Sequence, residues 1–122
     1  IYTFSLGGKT PMPELEIPEP KPIVSGIAYD PKDIGAGTKL YISHCIMCHG
    51  VPAVGNGGNI PNLGYADKNK IKNLKTFVLT DALKELGMPN FSSKLTEDDL
   101  TKIQAFIQGT ADAVSSQIAA SR

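Results

Sequence analysis

Apolar positions recur along this chain at more than one interval, and each interval predicts a different element. Over residues 1–8, Tyr2, Phe4 and Leu6 alternate with their neighbours before a Gly-Gly stop, the period of a half-buried strand. Such a strand has no evident partner in the rest of the chain. In "PMPELEIPEPKP" (11–22), five of the nine prolines fall within twelve residues. They remove backbone donors and favour an extended polyproline conformation, so the segment reads as a linker or a surface strap of roughly 40 Å at ~3.1 Å per residue. From Asp33 the interval becomes three and four: Ile34, Gly37, Tyr41, Cys45 and Cys48 mark one face of a helix. A second helical pattern covers 71–86, with Leu74, Phe77, Val78 and Leu83 as apolar members and Gly87 as its stop. The third is "TEDDLTKIQAFIQG", in which Thr96 can cap, Asp99 completes a capping box and three acids occupy the first turn. Leu100, Ile103, Phe106 and Ile107 form its buried stripe, and Gly109 is expected to end it. Two loops intervene, "GVPAVGNGGNIPNLGY" (50–65) and "GMPNFSSK" (87–94), and the small, polar tail 110–122 is expected to be mobile or weakly helical. No segment repeats.

At 122 residues the chain is one domain plus an extension. Twelve basic residues balance twelve acidic ones, so no global field recommends nucleic acid or an anionic membrane as partner. The balance fails locally: "DKNKIKNLK" (67–75) carries four lysines against one acid, and "PMPELEIPEP" (11–20) carries three glutamates and no base. These runs suit solvated faces, and the lysine run also suits a docking surface. Tryptophan is absent and aromatics make up 7% of the chain, so a bound apolar cofactor would help to complete the core. No run approaches the ~20 apolar residues of a membrane span, and the basic and apolar regions of a signal peptide are missing. The chain begins with Ile1, which reads as a processed, cut or excised N-terminus.

Both cysteines and both histidines lie in "YISHCIMCHG" (41–50). In a helical turn Cys45, Cys48 and His49 project from one side. Two thiols at that spacing can form thioethers with the two vinyl groups of one haem, and the next residue places an imidazole beneath the iron, the c-type attachment pattern. Structural zinc needs four convergent ligands, which two adjacent Cys/His pairs do not readily supply. Iron–sulfur clusters generally take four cysteines. A thioredoxin-like pair would follow a strand, whereas this one follows a helical stripe. His44 is expected at the surface, pointing away from the haem. Met47 lies inside the motif and cannot reach the far side of an iron, and Met12 lies in the Pro-rich segment. Met88, between Gly87 and Pro89, is the methionine best placed to be the sixth ligand opposite His49.

With "CIMCH", the later "GMPNF" and helices at each end, the chain resembles the class I cytochrome c fold. That resemblance implies an all-α domain of three to five helices around one covalently bound haem, preceded by an extended Pro-rich segment. It implies that Gly37 and Tyr41 meet the Phe106 face of the last helix, and that the Pro61 carbonyl accepts the second ring proton of His49. "GTKLYISHCIMCHG", "IPNLGY", "GMPNF" and "LTEDDLTKIQAFI", preceded by "YTFSLGGKTPMP", are similar to the C-terminal portion of quinohaemoprotein alcohol dehydrogenases. In that family a pyrroloquinoline quinone (PQQ) β-propeller ends in a strand and a linker leads to a haem c domain. The resemblance therefore implies a remnant propeller strand over 1–10, a linker over 11–30, a cytochrome c domain over 31–109 and a tail over 110–122. It implies thioethers at Cys45 and Cys48, iron ligation by His49 and Met88, and further haem contacts from Pro61, Leu63, Tyr65 and Phe91. Where the family often has an arginine near a haem propionate, this chain has Gly64, which leaves Tyr65 or a lysine for that role. The implied function is one-electron transfer by a domain that is no enzyme on its own. Electrons would come from a PQQ-containing domain or subunit and go to an external acceptor, a small redox protein or a quinone, in the periplasm. A free-standing periplasmic cytochrome c is the alternative.

Overall fold

The structure, a computed structural model, describes residues 3–14, 16, 19–55 and 58–122. Five helices, α1 (Ile34–His44), α2 (Ile46–His49), α3 (Lys68–Lys72), α4 (Leu74–Val78) and α5 (Glu97–Ala120), are joined through 3-10 turns at Pro31–Asp33, Leu63–Tyr65 and Lys84–Leu86. Among the described residues there is no strand, and no helix is long and apolar enough to cross a membrane.

The frame is the crossing of α1 and α5. It depends on Gly37, because a Cβ there would overlap the Lys102 carbonyl oxygen of α5. One turn later Tyr41 is fully buried, its ring centroid 4.9 Å from that of Phe106. Ile103, Ile107 and Ala111 continue the buried face of α5 and join Ile71, Leu74, Val78, Leu95 and Leu100 in one core. The start of α5 is set by a full capping box: Thr96 Oγ1 accepts from the Asp99 amide at 3.2 Å, and Asp99 Oδ2 accepts from the Thr96 amide at 3.0 Å. That bond to the Thr96 amide is the main reason the Asp99 carboxyl sits below its ordinary pKa.

Three expectations need correction. Gly109 does not end α5, which runs on to Ala120. At this position a Cβ would come within 3.0 Å of Ile34 Cδ1, so the glycine serves the α1 contact while Ala111 beyond it is buried. The pattern over 71–86 is not one helix. Asn73, at φ −105° and ψ 29°, separates α3 from α4, and after Val78 the chain turns through Thr80 and Asp81 to a single 3-10 turn that Gly87 closes in the left-handed region. Residues 23–29 are no free linker, since Val24 and Ile27 lie in the core. Gln108 on α5 holds them, accepting from the Ile27 amide at 3.4 Å and donating to the Val24 carbonyl at 3.1 Å. The Val24 amide donates to Gly64 at 2.8 Å. The lone strand read over 1–8 has no evident partner in the sequence, and among the described residues 3–8 pair with nothing; Phe4 and Leu6 are 78% and 107% exposed, and Tyr2 lies outside the described residues.

Candidate functional site

The cysteine motif sits on its own turn rather than on the end of α1. Cys45, at φ −121° and ψ −38°, breaks the long helix, and α2 restarts at Ile46 and closes with the Gly50 amide on the Ile46 carbonyl at 2.8 Å. The His49 amide donates to the Cys45 carbonyl at 2.9 Å, which keeps Cys45, Cys48 and His49 in helical register. Both cysteines are free. Cys45 packs against the core, where burial, with the neighbouring Cys48 thiol adding to it, pushes its pKa up to about 11, whereas Cys48 is exposed. Burial also holds the Tyr41 phenol well above its ordinary range, and its hydroxyl donates to the Gly50 carbonyl at 2.8 Å, securing the exit of α2.

His49 Nδ1 lies 2.7 Å from the Pro61 carbonyl oxygen. A carbonyl only accepts, so Nδ1 carries the proton and Nε2 keeps its lone pair for a metal. The loop that supplies this carbonyl is braced from within by Asn62, a buried polar residue that sequence reasoning missed. Asn62 Oδ1 accepts from the amides of Ala53 (3.0 Å) and Gly64 (2.9 Å), while Nδ2 donates to the carbonyls of Val51 and Val54, both at 2.9 Å. The available signal was its place two residues before a glycine, the pattern of an Asx turn.

Gly64 stands where any Cβ would overlap the backbone of Pro52 and Ala53. Close backbone approach explains a glycine there, and no side chain of any kind could reach a propionate from that position. Ala53 itself takes the left-handed conformation at φ 61°, a strained choice for alanine, and is fixed by Asn62 on its amide and by the Tyr65 hydroxyl on its carbonyl at 3.0 Å. The Tyr65 proton is thus already committed to the backbone.

Met88 is half-buried and packs on the core cluster, as do Cys45, Leu63, Tyr65 and Phe91. Its amide donates to the Leu83 carbonyl at 3.2 Å, and the Phe91 amide donates to the Val78 carbonyl at 2.8 Å. His44, expected at the surface, is half-buried and meets Phe91 edge-on, ring centroids 5.8 Å apart at 69°. Met47 is 94% exposed, and the lysines at 68, 70, 72 and 75 are exposed along α3 and α4.

Chemically, the donors are two unpaired thiols one turn apart, an imidazole with Nε2 available, and a soft thioether at the edge of an apolar core. Among the described residues no three His, Cys, Asp or Glu side chains gather to hold a metal ion. His49 could therefore serve a metal only with ligands from elsewhere. This donor set fits a macrocycle that arrives with its own equatorial ligands and bonds to thiols, as a haem does.

A family model described as "Cytochrome C oxidase, cbb3-type, subunit III" matches residues 32–107. The chain is 49% identical over 114 residues to a quinohemoprotein alcohol dehydrogenase of Comamonas testosteroni, covering 93% of this chain and 16% of that protein. The same identity and coverage hold for a 1-butanol dehydrogenase (cytochrome c) of Thauera butanivorans. The crystal structure of the Comamonas testosteroni enzyme superposes with a TM-score of 0.75 at 50% identity, over 83% of this chain and 15% of that one. The chain thus spans about one sixth of the length of these relatives. The family model covers more than half of the residues, and the protein accordingly belongs to this family of cytochrome c domains, similar to the one within quinohemoprotein alcohol dehydrogenases.

Proposed function

We propose that this protein carries one haem c, bonded through Cys45 and Cys48 and ligated by His49 and Met88, and transfers single electrons from a PQQ-bearing dehydrogenase domain to an external acceptor. The observation that carries the dehydrogenase reading is the extent of the likeness. The family model starts at residue 32, yet the 49% identity spans 93% of the chain and so takes in the Pro-rich segment. A free-standing shuttle would have less need of that segment. In this reading residues 1–10 complete a sheet in a preceding domain, which accounts for the exposure of Phe4 and Leu6.

When bound, the haem supplies a reversible ferric/ferrous couple. Everything else falls to the chain. His49 offers Nε2 with its other nitrogen tied to Pro61, and Met88 offers a soft sulfur that favours the ferrous state and raises the potential, as suits an acceptor of electrons from a reduced quinone. Leu63, Tyr65 and Phe91 supply apolar surface that keeps water from the ring edges. His49 and Met88 would hold the iron between them, and in this reading the alcohol chemistry belongs to the partner domain. In this reading the haem is attached outside the cytoplasm, and the protein works in the periplasm. The exposed lysine run of α3 and α4 is the docking surface for an acidic acceptor, and its contribution will fall with added salt.

An absorption spectrum in both oxidation states, repeated after acid and organic extraction, tests the reading. A c-type spectrum that stays with the chain is the expected result, and a colourless protein from a host able to attach haem would overturn it. Charge reversal at Lys70 and Lys72 is expected to slow reduction of the acceptor at low salt; an unchanged rate would remove the patch.

A further inference from the structure

We propose that Asn62 is a positioning residue for the metal-binding imidazole, holding the Pro61 carbonyl where His49 Nδ1 donates to it. The role rests on the haem reading above. The carbonyl that His49 uses belongs to the peptide unit whose nitrogen is that of Asn62, so whatever fixes the backbone of Asn62 fixes the acceptor. The proline ring locks φ at residue 61, so the direction of that carbonyl is set by ψ of Pro61 together with the backbone of Asn62, and fixing Asn62 removes one of these two freedoms.

Asn62 is held by four side-chain hydrogen bonds. An asparagine side chain has two acceptor lone pairs and two donor protons. Asn62 uses all four, on Ala53, Gly64, Val51 and Val54, at distances from 2.9 to 3.0 Å. It is 6% exposed, so these bonds are not shared with bulk water. The four partners lie on both sides of the loop, which makes the side chain a cross-brace. Backbone bonds alone would not do this: in the described part of 50–61 the only turn bond internal to the loop is the Val54 amide on the Val51 carbonyl at 3.1 Å. The Nδ1 bond in turn sets the tautomer and ring orientation of a ligating histidine and raises the basicity of the nitrogen facing the metal.

A role confined to loop stability predicts a different set of results, which allows a clean test. In the haem-loaded, reduced protein, exchange of the His49 Nδ1 proton with solvent is followed by NMR alongside the reduction potential. Asn62→Ala is expected to speed that exchange roughly tenfold or more, and to raise the potential as the ring becomes a poorer donor. Gln104→Ala, which removes the bonds from α5 to the Ile71 and Lys72 carbonyls at 2.8 and 3.3 Å, outside the 50–65 loop, is the control for lost stability. It should lower the melting temperature and leave His49 exchange alone. Should Asn62→Ala not fold, Asn62→Asp decides: it keeps both acceptor positions, loses both donors, and is expected to speed exchange in the same direction. Exchange at the wild-type rate in whichever variant folds, with or without a lower melting temperature, would overturn the positioning role while leaving the haem reading intact. A wild-type chain that takes up no covalent haem would overturn both.

Discussion

The two loops that carry the proposed iron ligation are built on opposite principles. On the histidine side, residues 50–65 are cross-linked by Asn62, by the Tyr41 and Tyr65 hydroxyls and by the packing of Gly64 on Ala53. On the methionine side, residues 79–94 are held by backbone turn bonds, Met88 to Leu83 and Phe91 to Val78 among them, and by exposed side-chain bonds such as Asn90 to Asp81 at 3.1 Å, with Leu86 82% exposed beside them. One ligand is delivered by a frame and the other by a strap. The difference teaches where a ligand can be lost: local opening free energy follows buried contacts and internal bonds, so the methionine should detach well before the histidine.

The comparison can be broken most forcefully at Gly64. Gly64→Ala forces a methyl group into the backbone of Pro52 and Ala53 and should cost roughly 3 kcal/mol, the upper end for overpacking, as measured by urea unfolding. Gly87→Ala meets no neighbour but must keep a φ of 88°, so it should cost only about 1 kcal/mol. Equal losses would show the two loops to be alike. Met88→Ala should lower the reduction potential sharply while leaving most of the stability in place, and an unchanged potential would remove Met88 as ligand. At the level of single amides, hydrogen exchange should be slower at Ala53 and Gly64, which donate to a buried oxygen, than at Met88, whose loop is open. The smallest effect concerns the cysteines before haem is attached. Exposed Cys48 should be alkylated first, with Cys45 lagging until the pH nears its value of about 11. A thiol whose pKa is higher folded than unfolded favours the fold below the unfolded value, so the haem-free chain should lose stability as pH rises from about 9 toward 11. Thermal melts across that range would show it, and a flat profile would contradict the burial of Cys45.

Those elements with local causes were legible in the sequence. The stripe Ile34, Gly37, Tyr41 placed α1, and the Thr96–Asp99 capping box placed the start of α5, because propensity, capping and periodicity all act within one or two turns. Cys45, Cys48, His49 and Met88 could be put forward as haem residues for the same reason: chemistry marks them by spacing and side-chain type, and their roles stand as a proposal. What escaped reading was decided at long range. Nothing local says that Gln108 will reach back to Val24 and Ile27, or that Gly109 will nest on Ile34 and let the helix pass. The break at Asn73 was hidden because Ile71, Leu74 and Val78 keep a helical spacing across it, and all three are still buried. Asn62 escaped because a single amide in a glycine-rich loop looks like any other turn residue until its four partners are seen.

The strap over 23–29 has a mechanical consequence. Its anchors are Gln108 and Asp112 on the longest helix, the latter accepting from the Tyr29 hydroxyl at 3.4 Å, and the Gly64 carbonyl, which accepts from Val24 at 2.8 Å inside the braced loop. Tension on the Pro-rich segment upstream is therefore not absorbed in a slack tether. The load passes to the loop whose Pro61 carbonyl meets His49, so that in the proposed two-domain arrangement a pull on the Pro-rich segment would be felt on the histidine side of the fold.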